Sequence, residues 1–252
     1  MCLIAFAWRP GHPQPLVLAA NRDEFHARAS LPLAEWQDSP GLYAGRDLQA
    51  GGTWLGVTAT GRFAALTNIR APHQPPGPRS RGELPVDFLR GDGDAEGFLE
   101  QLAGRHADYS PFNLLLGDRH GLYFFNSQEG QPHRLSPGVY GLSNASLDTP
   151  WPKVRQLTAA LRQSLDDPQP ERLLALLGDR QRPAPEQLPD TGVGPELETL
   201  LSSIFIVSPR YGTRASSVVL LAADGGVQMV ERRFDTQGAV EQDVTLRLPA
   251  SR

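Results

Sequence analysis

The 252-residue sequence predicts an α+β fold of largely antiparallel sheets with helices layered against them. Three observations carry that expectation. Short apolar runs come in pairs joined by Gly- and Pro-rich turns, which is the pattern of hairpins. Helical spacing is confined to two blocks, so the order reads strands, helices, strands, helices, strands. The regular strand–helix alternation of a parallel sheet is absent.

Taken in order, residues 2–8 and 15–20 are apolar runs separated by RPGHPQP and read as a hairpin. LYAGRD, TWLGVTAT and RFAALTN follow as short strands, with turns at Gly51-Gly52 and Thr60-Gly61. PHQPPGP, from Pro72 to Pro78, is a rigid exposed loop. ELPVDFLRG and DAEGFLEQLAGRH are helical, the second carrying Phe98, Leu99 and Leu102 on one face. FNLLLGD, GLYFFNS and GVYGLSN return to strand. A helix then begins at Asp148-Thr149-Pro150-Trp151, with Asp148 as its capping side chain and Trp151, Val154, Leu157, Leu161 and Leu165 along one stripe. ERLLALLGD continues helically, and residues 182–194 form a long Pro- and Gly-rich connection. TRASSVVLLAADGGVQMVERRFD closes the pattern as a hairpin about a DGG turn.

With 40% hydrophobic and 21% charged residues the composition is globular, and residues 1–252 are read as one domain. The net charge of −4 argues against a nucleic-acid partner, which would call for a basic face. No run reaches the roughly 18 apolar residues of a membrane span. The amino terminus lacks a cationic stretch ahead of its apolar one, so no signal peptide is expected and the location is read as cytoplasmic. One cysteine excludes an internal disulfide framework. Among 24 basic residues Lys153 is the one lysine, which reads as codon bias.

That lone thiol, Cys2, directly follows the initiator methionine. Removal of Met1 would leave a residue holding both a nucleophile and an α-amine whose pKa, near ~8, suits a base. The alternative is that Cys2 is a small apolar residue starting an edge strand. Asn21-Arg22-Asp23-Glu24 end the second strand. As a hairpin partner this segment returns beside Cys2, where a carboxylate would hold the ammonium group and Arg22 would favour thiolate or bind an anion. The plainer reading is an exposed strand exit. Asn68 and Arg70 end one strand, Asn144 ends another, and Arg214 opens the last hairpin. The asparagines offer donors to an oxyanion; Arg22, Arg46, Arg70, Arg79 and Arg81 offer partners for carboxylate or phosphate, or are solvated surface.

In order along the chain, MCLIAFAW, LAANRDEF, GGTWLGV with GRFAALTNIRAP, PSRGELP, GLSNASLDTPWPKV and YGTRASSVVLL resemble the family named for its Asn-Arg-Asp-Glu (NRDE) motif, which includes the transport and Golgi organisation protein 2 homologues. The similarity runs from residue 1 to about 235. That family looks like a branch of the N-terminal nucleophile hydrolases, so the resemblance implies a four-layer αββα sandwich of two mostly antiparallel sheets. It also implies hydrolysis of a non-peptide C–N (amide) bond through an acyl-thioester, with Cys2, Asp23 and Asn144 catalytic and Asn21, Arg22, Asn68, Arg70 and Arg214 binding substrate. No metal and no cofactor is required on this reading. The cholylglycine hydrolase and penicillin V acylase group carries Arg-Asn-x-Asp on strand two, and here the arginine position falls on Ala20. Arg22 is the substitute at hand, although expected to leave the other face of the strand. Family links to haem, lipid and acyl-CoA handling imply the alternative of a non-catalytic carrier, with Cys2 or His26 as an axial haem ligand.

Overall fold

The computed structural model describes residues 2–250. Thirteen strands form two sheets among these residues, and every named strand pair is antiparallel. The first sheet holds β1 (Cys2–Trp8), β2 (Leu16–Phe25), β10 (Gly138–Leu142), β11 (Tyr211–Leu221), β12 (Val227–Phe234) and β13 (Val240–Leu248), in the order β10-β1-β2-β11-β12-β13. The second runs in sequence order: β3 (Ser30–Trp36), β4 (Ser39–Asp47), β5 (Leu55–Thr58), β6 (Phe63–Asn68), β7 (Phe112–Gly117), β8 (Leu122–Asn126) and β9 (Gln131–Arg134).

Side-chain alternation assembles four layers. In β1, Ile4, Phe6 and Trp8 join Leu16, Leu18, Leu55, Val57, Phe63 and Phe124 between the two sheets. Leu3, Ala5 and Ala7 leave the opposite face and pack on α3 (Pro152–Gln163) and α4 (Pro170–Leu176) through Val154, Leu157, Leu161 and Leu173. Both faces of β1 are therefore dry, which is why its sequence is an unbroken apolar run. Outside the second sheet, α1 (Glu83–Arg90) and α2 (Ala95–Ala103) set Leu84, Phe88, Leu99 and Leu102 on Ala64, Leu114, Leu116 and Phe125. The order is α, β, β, α, as the resemblance implies. A short helix α5 (Pro195–Leu200) returns the chain to β11. Among the described residues no helix is long and apolar enough to cross a membrane.

Several elements differ from the sequence reading. Strand β2 does not stop at residue 20: its ladder to β11 continues through Asp23, Glu24 and Phe25, so the NRDE segment is strand rather than an exposed exit. Strands β3, β9 and β13 were not expected; β13 reads VEQDVTLRL and is largely exposed, its alternating Val244, Leu246 and Leu248 only partly buried against the core. Asp148 is not the cap of α3. The cap is Trp151 without a side-chain bond, Pro152 opens the first turn, and the Asp148 carboxylate instead accepts the Gly141 backbone N–H at 2.7 Å. The residues following β10 are tied to the second sheet: Thr67 Oγ1 donates to the Ser143 carbonyl and Asn113 Nδ2 to the Ala145 carbonyl, both at 2.7 Å. Those ties bring the ends of β1, β2, β6 and β10 to one rim of the sandwich.

Candidate functional site

Cys2 opens β1 and pairs with Arg22 across the β1–β2 ladder. The β1–β10 register sets Ile4 against Leu142, and continued two residues it sets Cys2 opposite Asn144. Cys2 shares strand parity with Ile4 and Phe6, which face the gap between sheets. At the rim of that gap opens a cleft of about 510 Å³, within the usual size of a small-molecule site. One wall carries Cys2, Arg22, Asp23, Glu24, Arg28 and Asp47. The facing wall is the 76–82 segment with Arg79 and Arg81, and Trp54, Leu66 and Asn68 complete the lining. The Pro72–Pro78 loop is thus only partly a free loop; its second half walls the cleft.

Two neighbouring residues of β2 serve opposite faces. Arg22 stays on the intersheet side, where its Nη2 lies 3.3 Å from the Asp47 carboxylate and its guanidinium sits 4.2 Å above the Trp54 ring. Its Nη1 is buried without a partner among the described residues. Asp47 is shared: Arg28 Nε reaches the same oxygen at 2.5 Å, and the backbone N–H groups of Gln49 and Ala50 donate to the other. Asp23 and Asn21 face the helices. Asp23 accepts from Thr213 Oγ1 at 2.7 Å. Asn21 is consumed by structure: Nδ2 donates to the Leu177 and Ile204 carbonyls at 2.9 and 2.8 Å, and Oδ1 accepts from Ser216 Oγ at 2.5 Å.

Burial sets the titration of this cluster. It pushes the Cys2 thiol up, and the nearby Asp23 and Glu24 charges add to that push while Arg22 opposes it. Burial also raises Asp23, with Lys153 and the Thr213 hydrogen bond pulling it back. Lys153 is buried and donates to the Leu201 carbonyl at 2.8 Å. Desolvation brings it down to about 8 despite the opposing pull of Asp23.

Of the expected site residues, Cys2, Arg22, Asp23 and Asn68 line the cleft together. Asn144 is buried directly behind it: its Nδ2 donates to the Asn68 carbonyl at 2.8 Å, and its own carbonyl accepts from the Arg70 N–H. Ser143 Oγ stands 3.2 Å from the Cys2 carbonyl and 3.3 Å from Asn144 Oδ1, where its one proton serves either. Asn21 is not at the cleft, for the reason just given. Nor is Arg70, which is bound to Glu198 at 2.6 Å with both side chains 5% exposed, and lies over Trp151. Arg214 sits at the β11 bulge with Nη1 on His26 Nδ1 and is not among the residues that line the cleft. Arg46 stacks on Trp36 and pairs with Asp38 on the outer surface. The expected other-face exit of Arg22 is also wrong. Ala20 and Arg22 are two residues apart in a strand and so share a face, and both line a small void beneath Cys2.

Sequence reasoning missed Arg28, Asp47 and the position of Lys153. Lys153 had a signal: it is the only lysine in the chain, set among apolar helix positions in PWPKV. Arg28 and Asp47 had none, because each is one charge among many until β3 and β4 bring them together. Among the described residues no cluster of three His, Cys, Asp or Glu side chains is placed to hold a metal ion. His26 has both ring nitrogens engaged, by Ser208 O and Arg214. Removal of Met1 concerns a residue outside those described.

Comparison with known proteins agrees with this architecture. The chain is 37% identical over 256 residues to the Transport and Golgi organization 2 homolog of Mus musculus, which covers 92% of each chain. It is 30% identical over 263 residues to Transport and Golgi organization protein 2 of Drosophila melanogaster, covering 92% of this chain and 91% of that one. In structure it is similar to the C2A mutant of conjugated bile acid hydrolase from Clostridium perfringens, with a TM-score of 0.53 over 97% of this chain and 92% of that one. At 8% identity that likeness is one of fold. The fold shared with it is the four-layer αββα sandwich of two antiparallel sheets described above. Residues 1–236 match the family Transport and Golgi organisation 2, and the chain belongs to it.

Proposed function

We propose that the chain hydrolyses a small amide or acylated substrate with Cys2 as its nucleophile. The observation that carries this reading is the placement of Cys2 at the wall of a ligand-sized cleft, on the first strand of this fold. Once Met1 is removed, the Cys2 α-amine accepts the thiol proton as Sγ attacks the carbonyl carbon. A thiol raised by burial needs such a base, because little thiolate forms unaided. Asn144 gives one amide proton to the Asn68 carbonyl, which leaves the second for the tetrahedral oxyanion. Collapse breaks the C–N bond, with the proton passing from the α-amine to the leaving nitrogen. Water then attacks the acyl-thioester, releasing the acid and restoring the thiol. Asp23 orients the amine.

Carriage of a haem, lipid or acyl-CoA ligand is the second reading, favoured by the raised thiol and by Ala20 where the related enzymes place arginine. For haem the residues fit poorly. His26 presents no free nitrogen, and a neutral Cys2 thiol is a weak ligand in a cleft lined mainly by charged and polar groups. Intact mass spectrometry separates the readings. Hydrolysis predicts loss of one methionine and rapid single labelling by a small thiol-directed electrophile, abolished in Cys2→Ala, followed by turnover in an amide screen. Retained Met1, or labelling no faster than a free thiol, would leave carriage as the surviving reading.

A further inference from the structure

The charges around the cleft are unequally matched. Arg22 and Arg28 share Asp47. Arg79 pairs with Glu83 on α1. Glu24 bonds the Phe25 backbone N–H and stands 3.9 Å from Arg28. Arg81 differs from all of these: among the described residues it has no carboxylate partner, and its one protein hydrogen bond runs from Nη1 to the Pro111 carbonyl at 3.0 Å. A guanidinium carries five N–H donors, so most of the Arg81 fork is left for water or ligand. The residue is half-buried, lines the cleft and lies within electrostatic reach of Cys2. A guanidinium left without a carboxylate partner is not the default of a chain whose net charge is −4.

The segment that presents Arg81 is pinned. Gly77 N donates to Ser110 Oγ, Arg79 N to the Asp108 carbonyl, and Thr53 N to the Gly82 carbonyl at 3.0 Å. At Gly52 the two walls cross so closely that a Cβ would fall 2.3 Å from the Gly82 oxygen. The backbone that presents the fork is thus held in place before any ligand arrives, which is what a recognition site requires. The cleft's carboxylates are engaged elsewhere, Asp47 by four donors, Asp23 by Thr213 and Glu24 by the Phe25 N–H, and none is hydrogen-bonded to Arg81.

We propose that the Cys2 cleft contains an oxyanion-binding subsite centred on Arg81 and flanked by Arg28, so that its small-molecule ligand carries a carboxylate or phosphate group. This deepens the functional reading above and rests on the cleft being the ligand site. With one thiol in the chain, intact mass can follow alkylation of Cys2 by iodoacetate and by iodoacetamide, which differ in charge far more than in size. The expected preference for the anionic reagent exceeds that of N-acetylcysteine by roughly fivefold or more, the scale of a charge-assisted hydrogen bond. Arg81→Gln abolishes the excess, Arg81→Lys keeps part of it, and high salt reduces it. Melting temperatures with succinate, inorganic phosphate and the neutral succinamide supply a second readout independent of the thiol. A rise with succinate alone marks a carboxylate ligand, and a rise with phosphate alone marks a phosphate. Both rises vanish in Arg81→Gln. A preference no greater than that of N-acetylcysteine, with no anion-dependent rise, would overturn the subsite, as would an excess that Arg81→Gln leaves intact. The two proposals fail separately: an anion preference with retained Met1 and no turnover sinks the hydrolase and keeps the subsite, whereas fast labelling without anion preference does the reverse.

Discussion

Asn21, the first residue of the NRDE segment, provides the sharpest test of how this site is supported. Its side chain uses both amide protons, on the Leu177 and Ile204 carbonyls, and its oxygen receives the Ser216 hydroxyl. It thereby ties β2 to β11, to the end of α4 and to the segment leading into β11, all while 1% exposed. Asn21→Ala strands two carbonyls and a hydroxyl without water. Each costs about 1–3 kcal/mol, and with partial relaxation the total should be about 3–5 kcal/mol. For a domain of this size that lowers Tm by roughly 6–20 °C. Asn21→Asp keeps the volume but loses both donors and sets a carboxylate against two carbonyls, so it should be at least as destabilising; a void alone cannot explain such a result. Urea unfolding followed by tryptophan fluorescence gives the stabilities, and Cys2 labelling in the cold gives the site readout. Folded Asn21→Ala should label like the parent. Parental stability with lost Cys2 labelling would refute the structural assignment and return Asn21 to the site.

Three further outcomes follow from the same geometry. Arg70→Met or Glu198→Leu leaves a buried charge alone and should cost about 3–5 kcal/mol, while the two together recover most of it; additive stabilities in that cycle would count against the pair. Lys153 binds its proton with a pKa of about 8 when folded and an ordinary value of 10.5 when unfolded, so between these the unfolded chain holds more protons and stability rises with pH. The slope is at most ~1.4 kcal/mol per pH unit, and Lys153→Met should remove it; parent and variant melting curves that run parallel across the window would refute the assignment. Gly52→Ala drives its Cβ into the Gly82 carbonyl and should destabilise by about 1–3 kcal/mol while speeding Cys2 labelling as the walls part. Gly51→Ala, strained by its φ of +76° but meeting no atoms, should lower Tm without changing labelling.

How much of this was legible in the sequence depends on where each residue finds its partner. The β1–β2 hairpin and the α3 stripe were readable because burial imprints a period on nearby residues: Ile4, Phe6 and Trp8 alternate with Leu3, Ala5 and Ala7, and Val154, Leu157 and Leu161 recur at helical spacing. The NRDE segment broke that pattern with polar side chains and so looked like an exit from the strand. Its burial is made good by groups far away in sequence, at Asp47, Leu177, Ile204, Thr213 and Ser216, which no local window contains. Arg70 and Arg214 were misplaced for the same reason. An arginine near a strand end looks the same whether it faces ligand or a glutamate 128 residues on. Asp148 failed differently: an aspartate before Thr-Pro suits a helix cap and a turn alike, and here its carboxylate serves the turn.

The absence of arginine at position 20 follows from the way β2 divides its residues. Ala20 pairs with Ile4 and is 7% exposed, and with Cys2, Arg22 and Trp54 it borders a void of about 10 Å³. Such a space holds one water at most, and a guanidinium on Ala20 would have to displace the Trp54 ring or the Arg22 side chain already lying over it. Moving the cation two residues along the same face keeps it on the Cys2 side of the sheet. There Arg22 acts on the thiol as a cation, opposing part of the rise that burial imposes. Asp47 then becomes necessary, since a guanidinium this deep without a carboxylate would be strongly destabilising. Arg22, Asp47 and Trp54 thus form one unit contributed by β2, the end of β4 and the residue before β5. Asn21 and Asp23, leaving the other face, are committed to the helix layer and to the neighbourhood of Lys153. A single four-residue segment therefore serves both faces of β2 beside Cys2, and its polar run is explained by two buried surfaces rather than by solvent.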